Sequence, residues 1–384
     1  MVISQNTFKN LHKKLFFLLI LLLPTQLGFH FWPDWASVFG IRVDYLSPTV
    51  YLTDLLVVGI LINWWGGNNL IRQIGGSNFK FPIFVLAYLL GTSLLIAQNQ
   101  AVALYKLVKL VEFVLLGFYV FRNWKLEIGN WKFRAAFSAA MIYSCLIAWA
   151  QFLSGHTLGL WVLGERTFDI NTPGIALANI NGVDYLRPYA TFPHPNVLAG
   201  FLLVGLLILV PLAPERSRRV THTTLLMLLI ISTLIITFSH SVWIAGLSAL
   251  LFLNVEWFKK QAKIFTQIAL WGIIFFSLAI PQITRDVETS TLPEEIGRRI
   301  ELSRTALDMV RDEPLTGVGL GNFIVRLPEY GGTPQISWWL QPVHNVFLLI
   351  LAETGIIGFG FIVWVLFKIA KLEIGNWKLH SSSS

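Results

Sequence analysis

His344-Asn345-Val346-Phe347-Leu348-Leu349-Ile350-Leu351-Ala352-Glu353-Thr354-Gly355-Ile356-Ile357-Gly358-Phe359-Gly360-Phe361-Ile362-Val363-Trp364-Val365-Leu366-Phe367 is the stretch that decides how this chain is read. It follows Pro342-Val343 and holds a single acidic residue. A helix needs about 20 mostly apolar residues to cross a bilayer, and this run is long enough. A titratable imidazole stands at its first turn. Ionisable groups at membrane depth usually face a bundle interior or a water-filled cavity, and imidazole exchanges a proton near neutral pH. Two readings follow for His344: a reactive site at the membrane surface, or a ring that caps a helix end or sits among headgroups.

The rest of the chain agrees with a membrane setting. Of 384 residues, 55% are hydrophobic and 13% charged, against a usual charged share of about a quarter. Several further apolar runs approach or exceed a span in length, which predicts an all-α, polytopic transmembrane helix bundle. The single cysteine, Cys145, lies inside an apolar run, so no disulfide framework or thiolate metal cluster is expected. The net charge of +8 does not indicate nucleic acid, because most Lys and Arg sit in short segments between spans, where they report topology. The first run follows Lys9, Lys13 and Lys14 but has no small-x-small cleavage site after Leu23, so it reads as an uncleaved span.

About ten spans are predicted, near 15–32, 49–65, 81–97, 101–121, 133–153, 195–213, 221–238, 241–258, 264–282 and 343–367. Residues 1–367 then form one transmembrane domain, and 368–384 a cytoplasmic low-complexity tail. Basic residues alternate sides: Lys13/Lys14, Arg72/Lys80, Arg122/Lys125/Lys132/Arg134, Arg216/Arg218/Arg219, Lys259/Lys260/Lys263 and Lys368/Lys371 fall on one face. By the positive-inside rule both termini are cytoplasmic and His344 is outside. The octapeptide Lys-Leu-Glu-Ile-Gly-Asn-Trp-Lys occurs at 125–132 and again at 371–378. Two copies are too few for a solenoid, and the repeat reads as sequence inserted at permissive sites.

Two outer loops are long enough to carry function, about 154–196 and 284–342. In the second, acidic residues after Pro293 and apolar Ile296, Ile300, Leu307 and Val310 predict an amphipathic helix on the outer surface, stopped by Asp312-Glu313-Pro314. Gly317-Val318-Gly319-Leu320-Gly321 follows a helix and a proline rather than a strand, so it predicts a tight turn with close backbone approach and not a nucleotide loop. In the first loop, Pro193 and Pro195 fix the backbone around His194, and Asn196 is expected to cap the next span. Arg187 precedes a membrane entry. A guanidinium there suits a diphosphate, which it grips bidentately, or anchors a headgroup. His240-Ser241 sits at a very short outer turn. The histidines show no metal-ligand spacing, so neither a metal site nor a cofactor is expected.

Together these residues resemble the O-antigen ligase and O-antigen polymerase family of polytopic glycan-transfer enzymes. The resemblance rests on four stretches. The first is Arg187 with Thr191-Phe192-x-x-Pro195-Asn196-x-x-Ala199, and the second Ser239-x-Ser241-x-Trp243. The third is Arg298/Arg299 leading to Asp312-Glu313-Pro314-Leu315-x-Gly317-Val318-Gly319-x-Gly321-x-Phe323, and the fourth His344-Asn345 with Glu353-x-Gly355-x-x-Gly358. It covers roughly 185–360. Two departures stand out: family members often have Arg where this chain has His240, and they commonly continue with further spans beyond the histidine.

The resemblance implies transfer of a glycan from a polyprenyl-diphosphate carrier to an acceptor hydroxyl on the outer face of the cytoplasmic membrane. The implied partners are that lipid-linked glycan, a glycan or lipid acceptor and the bilayer. His344 would be the catalytic base, with Arg187, Arg298, Arg299, Arg304, His240 and Asn345 binding substrate. Glu353, about 13.5 Å deeper at ~1.5 Å per residue, reads as a buried interhelical contact. Two other readings stay open: a transporter of a small anion or lipid-linked sugar, suggested by Asp54, Lys106, Lys109 and Glu112 within apolar runs, and a truncated, inactive relative. Ligase and polymerase are not separated by the residues themselves.

Overall fold

The computed structural model describes residues 11–66, 80–127, 131–209, 219–254, 272–275, 277–279, 282, 294–330 and 340–381. Helices dominate: α1 (Leu11–Leu22), α2 (Leu52–Gly66), α3 (Lys80–Leu95), α4 (Gln100–Glu127), α5 (Trp131–Ser154), α6 (Pro195–Leu209), α7 (Arg219–Ile236), α8 (His240–Asn254), α9 (Glu294–Asp312), α10 (Phe323–Tyr330) and α11 (Val346–Ser381). Two helices among the described residues, Trp131–Ser154 and Val346–Lys368, are long and apolar enough to cross a membrane. The shorter apolar helices are Leu52–Trp65, Phe84–Leu95, Pro195–Leu209 and Thr224–Ile236. The predicted span at 264–282 lies mostly outside the described residues.

The chain divides into two compact units. The first holds Met1–Phe29, Thr49–Leu70 and Val114–Asn254; the second holds His30–Pro48, Ile71–Phe113 and Val255–Ser384.

In the first unit α1 packs on α2 and α5, α5 on α7, and α6 on α7 and α8. Their shared core includes Phe16, Ile60, Trp64, Tyr119, Phe137, Met141, Leu198, Leu202 and Ile230. The expected first span is corrected: α1 ends at Leu22, before Pro24, because proline removes a helical donor and disfavours helix in the residue before it. The all-α expectation holds in the main, with short strand pairs added between the helices. Leu177–Ile180 and Val183–Leu186 form an antiparallel hairpin with Ile180 opposite Val183. Its two-residue turn, Asn181-Gly182, has φ of 52° and 85°, the left-handed pair that a tight hairpin requires and that Asn-Gly favours.

In the second unit α9 and α3 pack on α11, and α10 packs on α9 and α11. Ala36, Val38, Leu46, Val102, Leu302, Ala306, Met309, Phe323, Leu327, Leu348 and Ala352 make its core. Helix α9 forms where expected, and Leu307 and Val310 lie on its core side as expected, but the face is centred elsewhere and leaves Ile296 out. Leu302, Ala306 and Met309 are fully buried and Ile296 is 49% exposed, so the helix is built into the unit and does not merely lie on its surface. Helix α11 runs past Phe367 to Ser381, so no helix end separates the octapeptide from the apolar run.

Candidate functional site

In the first unit the structure gathers Arg187, Asn196 and the α7–α8 turn. Arg187 Nε donates to the Thr237 carbonyl and Nη2 to Asn196 Oδ1, each at 2.8 Å. Both acceptors are neutral oxygens, and together they orient the guanidinium. The Thr237 carbonyl is presented by a turn with Phe238 at φ 49°. The turn then enters α8, where the N–H groups of Val242 and Trp243 both donate to the Ser239 carbonyl at 3.0 Å. His240 is exposed at the head of α8, its ring edge-on to Trp243 at 5.1 Å.

The expected capping role of Asn196 is corrected. Helix α6 begins at Pro195, and proline suits a first helical position because its missing donor has no partner there anyway. His194 does the capping: its carbonyl accepts from Val197 and Leu198 at 3.0 and 3.2 Å, and its Nδ1 accepts the Asn196 N–H at 3.1 Å. That frees the Asn196 side chain to hold Arg187.

Three residues that the sequence reading left out support this region. Gln151, fully buried in α5, accepts the Tyr189 and Ala190 N–H groups at 2.9 and 2.8 Å and donates to Glu165 Oε1 at 2.7 Å. Glu165 in turn accepts the Leu158 N–H at 2.8 Å. Arg166 donates to the Pro193 carbonyl at 2.8 Å and lies over the Phe168 and Tyr189 rings. A glutamine inside an apolar helix was the one signal available, since a buried amide must find partners.

In the second unit His344 is exposed immediately before the cap of α11. Asn345 is that cap: its Oδ1 accepts the Leu348 N–H at 3.1 Å and its Nδ2 donates to the Ser277 carbonyl at 2.6 Å. Asparagine at this position satisfies a helix donor that otherwise lacks a partner. Arg298 and Arg304 are part-buried along α9 and Arg299 is exposed, so the three sample different surroundings.

Below His344, α11 is broken at Gly355 (φ 63°, ψ −175°). A break of this kind strands carbonyls and N–H groups that a helix would pair. The glycine turn takes them up. Val318 and Gly319 donate to the carbonyls of Ala352 and Glu353 at 2.9 and 3.0 Å, while Ile356 and Ile357 donate to those of Pro314 and Leu315 at 2.9 and 3.4 Å. The approach needs bare backbone on both sides. A Cβ on Gly317 would meet the Ala352 oxygen at 2.5 Å, and one on Gly355 the Leu315 oxygen at 2.2 Å. Glu353 closes the arrangement, accepting the Gly321 N–H at 2.9 Å and the Phe323 N–H at 3.4 Å, with Lys106 of α4 within electrostatic reach. The glycine run is thus a turn docked on a broken helix, and Glu353 is the interhelical contact expected of it. At the far end of α10, burial raises the Tyr330 phenol above its ordinary pKa, helped by a hydrogen bond with Asp312.

Arg187 and His240 therefore belong to the first unit, and His344, Asn345 and the α9 arginines to the second. A family model described as O-antigen ligase matches residues 225–363, from within α7 to the middle of α11. A general O-oligosaccharyltransferase of Acinetobacter baylyi is 27% identical over 188 residues, covering 44% of this chain and 32% of that protein. The chain thus matches about a third of the length of this curated relative. The α7–α8 turn, the glycine turn and the head of α11 all lie inside the stretch that is similar to the O-antigen ligase family.

Proposed function

We propose that this chain is a multi-pass inner-membrane enzyme of the ligase type. It transfers a glycan from a polyprenyl-diphosphate carrier to an acceptor hydroxyl on the outer face, with both termini in the cytoplasm. The observation that carries the reading is the exposed His344 at the head of the apolar helix α11, inside the stretch that matches the O-antigen ligase model. A base at that point meets a lipid carrier at the depth where its diphosphate lies.

In the proposed reaction the acceptor oxygen attacks the anomeric carbon, and a new glycosidic C–O bond forms. The bond from that carbon to the diphosphate oxygen breaks, and its electron pair leaves with the diphosphate. His344 takes the hydroxyl proton, a task for a group with pKa near the working pH. Guanidinium groups stabilise the leaving diphosphate as its negative charge grows. Arg187 is the first of these, because its held orientation suits bidentate contact with a phosphoryl group. Arg298, Arg299 and Arg304 supply further positive charge, His240 stands exposed at the α7–α8 turn, and Asn345 presents His344 by capping α11. No metal is needed for any step.

The test is purified full chain with polyprenyl-diphosphate glycan and candidate acceptors, with and without chelator. His344→Ala and His344→Gln are both expected to abolish transfer while carrier binding persists. Glutamine keeps hydrogen-bonding capacity and cannot take the proton. Full transfer by His344→Gln would remove the general-base assignment. No turnover by the unmutated chain would favour a transporter or an inactive relative, and loss with chelator would reveal a metal.

A further inference from the structure

We infer that the hairpin tip Phe39-Gly40-Ile41 inserts into the outer leaflet of the bilayer and fixes the loop between α1 and α2 at the membrane surface. The inference rests on the membrane reading of the chain, and it concerns residues outside the stretch that is similar to the O-antigen ligase family.

Ser37–Val38 and Ile41–Arg42 pair antiparallel with Val38 opposite Ile41, so Phe39-Gly40 is a two-residue turn. Its φ angles are 52° and 75°. A left-handed pair of this kind favours Asn-Gly or Asp-Gly. A phenylalanine there is strained, because its Cβ crowds the backbone. The same chain uses the favoured pair elsewhere: Asn181-Gly182 turns with φ of 52° and 85°. Phe39 is therefore not chosen for the turn. Nor does it serve the core, since it is 69% exposed. Gly40 beside it has open space around it. A side chain that is strained and left exposed gains nothing inside this chain, so its partner lies outside.

The tip is firmly mounted. Ala36, Val38, Val43 and Leu46 are buried in the core of the second unit, and the Val43 N–H donates to the Ala36 carbonyl at 3.1 Å. Phe31, Ile41 and Tyr45 are exposed along with Phe39.

Chain position and chemistry name the occupant. The loop leaves α1 after Leu22 and returns to α2 at Leu52. Its neck is closed by the Leu52 N–H on the Leu27 carbonyl and by the Phe31 N–H on the Pro48 carbonyl, each at 2.9 Å. Helix α2 exposes Leu55, Val58, Ile62 and Trp65, an apolar stripe along one face, as a lipid-facing helix presents. The chain thus holds the loop where α2 enters the bilayer, the depth at which aromatic side chains collect. Charge does not direct the contact, because Arg42 is offset by the exposed Asp34 and Asp44. A sugar would call for a ring face, and Trp32, the ring best suited, already carries Arg42 at 5.6 Å and His30 at 6.0 Å. Phenylalanine and isoleucine at the tip match acyl chains instead.

The test is full chain in phosphatidylcholine nanodiscs, with a bimane label on one cysteine in a Cys145→Ser background. Phe39→Cys and Ile41→Cys report on the tip, and Asn181→Cys on the polar turn of the other hairpin. Leu146→Cys reports on the exposed side of α5. Doxyl-labelled lipid should quench positions 39 and 41 as strongly as position 146, and several-fold more than position 181. Aqueous iodide should show the reverse order.

Quenching of the tip by iodide and not by lipid, with position 146 still quenched by lipid, would overturn the inference and leave the membrane reading intact. Failure of lipid to quench position 146 would remove the membrane reading and the insertion with it. A tip shielded from both quenchers would mark a protein or glycan partner and overturn the inference. Equal lipid quenching at position 181 would trace the effect to the label and do the same.

Discussion

Gly355 and Leu315 meet as bare backbone, so close that a methyl group on Gly355 would lie 2.2 Å from the Leu315 oxygen. The contact ties the break in α11 to the turn after α9. A helix interrupted in an apolar stretch is stable only when its exposed carbonyls and N–H groups are taken up by neighbouring backbone. Here the glycine turn does that on both sides of the break.

Gly355→Ala should therefore be strongly destabilising. Alanine at φ 63° is strained by about 1–3 kcal/mol, and the steric overlap adds to it. Gly360→Ala, further along the same helix with nothing within 4 Å of the added carbon, is the control. It should be neutral or stabilise by about 0.5–1 kcal/mol. Thermal unfolding of detergent-purified variants checks both, and equal melting of the two would show that the break does not bear on stability.

The Glu353 carboxylate leads to a graded expectation. Glu353→Ala leaves the Gly321 and Phe323 N–H groups without their acceptor, at about 1–3 kcal/mol for a buried donor. Glu353→Gln keeps one oxygen and turns an amide N–H toward the other donor, so its loss should fall between. Glu353→Gln as damaging as Glu353→Ala would place the weight on the charge and on Lys106 rather than on the hydrogen bonds.

Much of this arrangement was legible before the structure. Helix periods, the stop at Asp312-Glu313-Pro314 and the spaced glycines all report local backbone preferences, and these survived folding. The buried face of α9 was less visible, because Ile296 and Leu302 are both apolar and only the packing of α11 decides which is covered. The capping of α6 was misread for a similar reason: His194 and Asn196 can each cap, and Pro195 between them settles the first helical position. The cations at the head of α6 were only half visible. Arg187 announces itself beside a membrane entry, while Arg166 reaches the same stretch through a loop whose path depends on Gln151 and Glu165.

Helix α5 offers a direct test of topology. If Trp131–Ser154 crosses the bilayer, its two ends are reached from opposite sides. In a Cys145→Ser background, Lys132→Cys should react with an impermeant thiol reagent only from the cytoplasmic side, and Asp169→Cys only from the outside. Both positions are exposed, so a missing reaction is not caused by burial. Labelling of both from one side would require a different path for α5.

Asn196 acts on the proposed reaction through Arg187, and a double-mutant cycle can separate that from a direct role. Asn196→Ala removes one of the acceptors that orient the guanidinium and leaves the His194 cap of α6 in place. The helix should persist and the donor KM should rise by about five- to tenfold, the weight of one hydrogen bond to a charged group. Arg187→Met should cost more, because the cation itself is gone. If Asn196 only positions Arg187, adding Asn196→Ala to Arg187→Met should change neither KM nor kcat further. A second loss of the same size in the double variant would instead mean that Asn196 touches the substrate independently. Asn196→Asp distinguishes the two again: a carboxylate would pair with Arg187 and neutralise it, so donor binding should fall even though the contact is kept.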